Sequence, residues 1–384
     1  MKKNLLAAIL FLIILFTSCM PHGLQVVSDT SEDDIYAIDT TQREKSDIVS
    51  VATLTGLRAD NDNSFNSHIT AVVVDNLFIS WHNPQSGLSE ASILYEILMT
   101  DGGVTRFLAL YEDYSTIPVV GPVRDPYDQM IHLILPLEAF LVTDRLNQHT
   151  VDFIKEHDFE SKIMTAQYGR DMLWVNGNRV EYMTSEFTRY TDGGNLSAAV
   201  QYYEVENEYS YSDTLFDFIS PADVPRVLPD GTATSVIVFH SERNMTHLDF
   251  DTKTHQYKLS KEWVWGNEYE IANDYKILID NNNEMQLAFD NVFVLFAEMQ
   301  TIPNQDSNTY FEGNSMMEIL YSNGGIGYYF NGGYFEEIRW IKENPTDMLK
   351  IISMQDGIEV ARINPGTSYI TIVDNKMATA FTYK

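Results

Sequence analysis

Apolar and polar positions divide the chain into stretches of different grammar. Leu5 to Phe16 are apolar without a break, and residues 20–50, including SDTSEDDIYAIDTTQREKSD, hold no sustained apolar period. ITAVVVDN (Ile69 to Asn76) is a continuous run rich in β-branched residues, which predicts a buried strand in a sheet covered on both faces. Leu88, Ala91, Leu94, Tyr95, Leu98 and Met99 then recur at helical spacing. Ser86 or Ser89 can cap that helix, Glu90 suits its first turn, and Gly102-Gly103 ends it. VTRFLALY (Val104 to Tyr111) returns as a strand, so the order strand, helix, strand predicts a βαβ-like unit and an α/β domain. Asp125-Pro126 reads as an N-cap with proline at the first helical position, followed by the apolar face of Met130, Ile131, Ile134 and Leu135. EAFLVTD (138–144) is the next strand, and TVDFIKEH (150–157) the next helix.

From about Asp213 the period changes to two. TSVIVFH, YKLSKEWVW, YKILID, EMQLAFDNVFVLFAEM, MMEILY, IGYYFN, YFEEIRWI, LKIIS, SYITIV and TAFTY are strand-like. Turn residues separate them at 281–283, 324–325, 332–333 and Asp356-Gly357. The expected fold is α+β or α/β: an N-terminal α/β domain with a mostly buried sheet, then a mainly antiparallel β domain. The expected organisation is 1–18 export signal, 19–52 tether, 53–212 first domain and 213–384 second domain. DTKTHQY (251–257) and DNNNEM (280–285) suit solvated hairpin loops, since neither has the twelve-residue calcium-loop spacing with a terminal glutamate.

Lys2 and Lys3 before the apolar run, and Thr17-Ser18-Cys19 after it, give that run an export function. It is too short to span a membrane, which takes about 20 residues. Cys19 is the only cysteine among 384 residues, so no disulfide can form within the chain. LFTSC resembles the bacterial lipoprotein signal, which implies cleavage before Cys19 and lipid attached to it. The chain carries 25 basic and 55 acidic residues, a formal −30. Loss of residues 1–18 removes two lysines and no acid, leaving −32. Such a field repels nucleic acid, anionic lipid and wall phosphate. It serves solubility or favours a cationic partner, and it extends the acidic 20–50 segment as a disordered tether.

VVVDN (72–76), PQSGLSEASILYEILMTDGGVTRFLALY (84–111) and VVGPVR (119–124) together resemble the YerB-like family of bacterial lipoproteins. DNVFVLFA (290–297) and NPGTSYITIV (364–373) extend the resemblance, which spans most of 54–374. It implies two conserved domains with no assigned function. The departures are specific. Here GPVR is continued by Asp125-Pro126-Tyr127-Asp128, where the family pattern has SARP, and Thr143 stands where the pattern has a histidine. RVEYMTS (179–185) keeps Thr184 and Ser185 and lacks the family's histidine and asparagine. Proton transfer or metal binding by those histidines is therefore not open to this chain, which fits a divergent member that binds without catalysis.

The nine histidines form no HExxH, and there is no GxSxG, P-loop or GxGxxG after a strand. His149 and His157, eight apart, read as surface residues, and no metal or cofactor is expected. Tyr328, Tyr329, Phe330, Tyr334, Phe335 and Trp340 could stack on sugars or peptides, though core and hairpin packing explains them as well. The candidate cluster is Asp75, Asn76, Gln85, Glu96, Arg106 and Arg124, with Thr143 to Arg145 at a strand end where α/β sheets gather ligands. Arg106 shares a strand face with Val104, Leu108 and Leu110, and a buried guanidinium needs a partner. Glu96 is the favoured partner and Asp75 the other. Alternatively the cluster lines a pocket whose arginine fork takes a carboxylate or phosphate. The expected function is a lipid-anchored, extracytoplasmic binding or accessory protein of the envelope, with a cell-wall, peptide or protein ligand. The alternative is a cell-wall or peptide hydrolase using Glu96 or Asp75 as acid/base and Arg106 or Arg124 as anion holder.

Overall fold

A computed structural model describes residues 51–59, 67–206, 214–267, 270–303, 315–354 and 360–384. Cys19, the export signal and the tether up to residue 50 lie outside the described residues. The first half supplies β1 (Thr70–Asp75), α1 (Phe78–His82), β2 (Ile93–Leu98), β3 (Thr105–Tyr111), α2 (Asp128–Ile134), β4 (Phe140–Val142), α3 (Gln148–Glu156) and β5 (Ile163–Met164). β6 (Trp174–Val175), α4 (Gly177–Val180), β7 (Arg189–Tyr190) and α5 (Gly193–Tyr202) follow. The second half begins with β8 (Gly231–Thr232), β9 (Ser235–Phe239), β10 (Asn244–Asp251), β11 (Gln256–Asn267), β12 (Glu270–Ile277), β13 (Ala288–Phe289) and β14 (Asn291–Ala297). It ends with β15 (Met299–Pro303), β16 (Ser315–Ile319), β17 (Gly325–Asn331), β18 (Tyr334–Ile341), β19 (Lys350–Ser353), β20 (Ser368–Asp374) and β21 (Thr382–Tyr383).

One sheet draws on both halves. Its order is β19-β18-β17-β14-β20-β2-β3-β1-β4-β5, with β8 on β18. β20 runs parallel to β2 on one side and to β14 on the other, so the second half of the chain supplies a central strand beside the first. A second sheet, β12-β11-β10-β9-β21 with β13 on β11, is antiparallel throughout. The fold class is α+β, as the pattern predicts.

The strand alternation sends side chains to two cores. Ala71, Val73, Ile93, Tyr95, Ile97, Leu108 and Leu110 meet Met130, Ile131 and Ile134 of α2 and Val151 and Ile154 of α3. Val72, Val74, Leu94, Phe107, Ala109 and Tyr369 meet Val236, Val238, Leu248, Tyr257, Leu259 and Trp263 of the second sheet. Burying each such aliphatic side chain contributes roughly 1.5–3 kcal/mol, which is why the β-branched run of β1 sits inside. Tyr329, Phe330 and Trp340 are fully buried and Phe335 nearly so, which makes most of the aromatic run core rather than a ligand platform.

The helix expected over 88–99 does not form. Leu88–Glu90 is a single 3-10 turn, and Ile93–Leu98 is a strand buried at every position. Leu94, Tyr95, Leu98 and Met99 fit helical spacing, but Ile93 and Ile97 fill the intervening positions. A segment apolar on both faces is what a central strand needs. β1, β3 and β2 are therefore an antiparallel set rather than a βαβ unit, and the parallel pairs in this part are β1 with β4 and β4 with β5. The helix after GPVR starts at Asp128, with Tyr127 as N-cap and no side-chain cap. Asp125, the expected cap, is engaged by arginines instead.

Candidate functional site

Strand register separates the expected pair. Arg106 of β3 stands opposite Asp75 of β1 and Ile97 of β2, whereas Glu96 stands opposite Phe107. Neighbouring strand residues point to opposite faces. Arg106 therefore lies on the helix-covered face and Glu96 on the face under the second sheet. The structural pair Glu96–Arg106 does not exist, because the misread helix hid the parity of residue 96.

Glu96 is fully buried and joins the two sheets. Its Oε1 accepts from Asn76 Nδ2 at 2.9 Å, from Thr105 Oγ1 at 2.7 Å and from Lys261 Nζ. Its Oε2 accepts from Thr246 Oγ1 at 2.9 Å and from Tyr369 OH at 2.6 Å. His240 Nε2 lies 3.2 Å from Oε1 and 2.8 Å from Thr246 Oγ1. Lys261 also donates to Thr246 Oγ1 at 2.7 Å, and its ammonium lies 5.5 Å from the centre of the Trp81 ring. Burial alone would raise the Glu96 carboxyl, but His240 and Lys261 outweigh it and hold it well below the usual range. Burial likewise lowers His240, with Glu96 offsetting part of that. An ionised carboxylate facing a buried ammonium, with every oxygen hydrogen-bonded, is a satisfied ion pair rather than a poised acid.

The remaining candidates gather on the other face. Asp75 accepts from Arg124 Nη1 at 2.8 Å, from the Leu77 amide at 3.1 Å and from Ser80 Oγ. Arg106 donates from Nε to the Asp125 carbonyl at 3.0 Å and from Nη2 to its carboxylate at 3.3 Å. Arg124 Nε stands 3.7 Å from Asp125 and its Nη2 stands 3.5 Å from Glu186, with the Phe187 ring 5.2 Å from the guanidinium carbon. Burial works to raise Asp125, and Arg106 and Arg124 together bring it below its ordinary value. Gln85 Nε2 donates to the Asp75 carbonyl at 3.0 Å, and Thr143 Oγ1 to the Arg124 carbonyl at 3.0 Å. Asp75 and Asn76, adjacent in sequence, thus serve different networks on opposite faces. The two arginines meet three carboxylates, so this cluster has no surplus positive charge to offer an anion.

Sequence reasoning missed Lys261, His240, Thr246, Tyr369, Asp125 and Asp280. Lys261 had a signal: Tyr257, Leu259, Lys261 and Trp263 alternate along β11, which places a lysine among inward-facing apolar residues. Asp280 corrects the solvated-loop reading of DNNNEM. It is buried, and its carboxylate accepts from the amides of Gly87 (3.0 Å), Ser89 (2.8 Å) and Asn282 (2.9 Å) and from Ser89 Oγ (2.8 Å). The neighbouring asparagines reach Val119 O and Ser89 Oγ, both at 2.9 Å. The QSGLS motif is thereby a socket for this hairpin. Gly87 has φ 86°, and a Cβ there would meet Val119 O at 2.8 Å, so only glycine fits. His149 is half exposed and stands 3.5 Å from Asp128, as a surface residue.

Residues 54–206 match the family described as protein of unknown function (DUF3048), N-terminal domain, and residues 235–370 match its C-terminal domain. The chain belongs to this YerB-like family. The crystal structure of the YerB protein from Bacillus subtilis matches with a TM-score of 0.65 and 22% identity, over 87% of this chain and 99% of that one. At that identity the likeness speaks for the fold. No curated protein matches the chain. In this YerB-like fold the QSGLS, YE and GPVR segments occupy the Asp280 socket, the Glu96 hub and the Asp75–Arg124 network. Among the described residues no group of three or more His, Cys, Asp or Glu side chains is placed to hold a metal, and no helix is long and apolar enough to cross a membrane.

Proposed function

We propose that this chain is a lipid-anchored, extracytoplasmic protein that binds or assists a partner at the bacterial envelope. The observation carrying the reading is Cys19, the only cysteine in the chain, standing where the apolar run behind Lys2 and Lys3 ends. Binding is preferred to catalysis because both carboxylates offered as acid/base, Asp75 and Glu96, are fully buried. Each oxygen of both accepts at least one hydrogen bond. A general acid or base must reach the proton it moves, and neither can. The formal −30 charge disfavours nucleic acid and anionic wall polymers as partners. In the producing bacterium, radiolabelled palmitate should mark the wild type and miss Cys19→Ala, which should also leave the membrane fraction. Equal labelling of both would remove the anchor, and turnover of muropeptides or short peptides by the purified chain would remove the non-catalytic reading.

A further inference from the structure

The two large sheets run between four terminal strands, and three of these four are guarded. β5 and β21 are two residues long, too short to template another strand. β19 has four residues, and Val360 bridges to its Ile352. β12 is different. It has eight residues, EIANDYKI, with no glycine, proline or bulge in its register with β11. Among the described residues no strand pairs with its other edge.

From Tyr275 onward, the side chains on one face of that edge are apolar and open. Tyr275 is 48% exposed, Ile277 50% and Ile279 38%, at alternate positions. Natural edge strands are usually shortened, twisted or charged to prevent pairing, and an exposed apolar ridge of this kind marks an interaction surface. The acidic groups beside the edge are already engaged, and Lys276, opposite Lys261 in the register, lies on the other strand face from Tyr275 and Ile277. His82 meets Asp274 at 2.5 Å, while His247 and Asn273 hold Glu262 at 2.8 and 2.7 Å. What is left for a partner on the face of Tyr275 and Ile277 is backbone and apolar surface, the combination that strand addition uses.

We propose that β12 is a docking edge for an extended, basic segment of a partner protein. The segment joins the sheet as a further strand, and alternate side chains cover Tyr275, Ile277 and Ile279. Charge selects this occupant. A second copy would bring another formal −30 to the edge, whereas a lysine- or arginine-rich strand is drawn to it. This goes beyond the anchoring proposal and stands or falls separately from it.

The test uses the full-length chain in non-ionic detergent. The probe is a labelled, acetylated peptide of alternating lysine and valine, about ten residues long, the upper range of a strand. Its controls are the glutamate–valine and lysine–proline peptides. The lysine–proline peptide keeps the charge and halves the backbone donors. Anisotropy should report binding of the lysine–valine peptide only, and hydrogen exchange should slow at residues 273–277. Tyr275→Thr with Ile277→Thr, which keeps β propensity, should weaken binding about tenfold or more with an unchanged melting temperature. The proposal is overturned if no lysine–valine binding occurs, if either control binds equally well, or if protection falls elsewhere. It is also overturned if the chain dimerises and the double variant abolishes the dimer, since the edge then belongs to a second copy.

Discussion

Replacing Glu96 by glutamine keeps the side chain's shape and removes its charge. In the native hub Oε1 receives three donors, including Lys261, and Oε2 receives two hydroxyls, those of Thr246 and Tyr369. A glutamine nitrogen is tolerable only on the Oε2 side, where the hydroxyls can turn and accept. Lys261, fully buried, then keeps a neutral oxygen in place of its counter-charge. Breaking a buried pair from one side costs about 3–5 kcal/mol. In a folded body of this size that is a drop of roughly 4–8 °C in melting temperature. Lys261→Met should cost a similar amount. The double variant should recover much of the loss, with a coupling of about 2 kcal/mol or more in urea unfolding at constant m-value. A parallel cycle with Glu96→Gln and Arg106→Met should be additive within about 0.5 kcal/mol, because those charges face opposite sides of the sheet. If Glu96→Gln loses under about 1 kcal/mol, or if Glu96 couples to Arg106 and not to Lys261, the hub has been misassigned.

Asp280→Ala should leave the amides of Gly87, Ser89 and Asn282 without their acceptor, at about 2–4 kcal/mol. Hydrogen exchange at residues 281–285 should speed up with it, and unchanged exchange there would refute the socket. His68 gives a pH dependence. Burial, aided by Lys162, lowers it to about 4 from 6.5. Between those values the unfolded chain takes up a proton that the folded chain refuses, so stability falls as pH drops through 6.5 towards 4. Relative to pH 7 the loss at pH 5 is about 2 kcal/mol. His68→Gln should flatten that window in urea midpoints measured at pH 7, 6 and 5, and parallel curves for the two proteins would count against it.

The residues of the site were legible where a type and a run sufficed. Asp75, Asn76, Gln85, Glu96, Arg106 and Arg124 are all buried and all hydrogen-bonded, as polar and charged residues among aliphatics require. Their pairing was not legible, because it depends on register. One misassigned element, 88–99, moved Glu96 from a strand face to a helix edge and gave it the wrong partner. Local propensity could not resolve that segment, since its positions are apolar at both periods and only sheet neighbours decide between them. The partners of Glu96 lie far along the chain: Lys261 is 165 residues away and Tyr369 is 273. No local pattern announces contacts at that distance. The strands of the second half were easier, because alternation and turn residues act within a few positions.

The position of β20 bears on how the chain is made. Whether it emerges from the ribosome or from an export channel, β2 (Ile93–Leu98) appears far ahead of β20 (Ser368–Asp374), so it waits for the strand that completes its far side. Until then the free edge of β2 and the empty seat beside Glu96 face whatever surrounds the nascent chain, and contacts of such long range are slow to close. The halves matched by separate family descriptions are therefore not separate folding units. β2 can reach its finished environment only after residue 374 has arrived, and a chain ended a few dozen residues early is missing its central seam rather than its fringe.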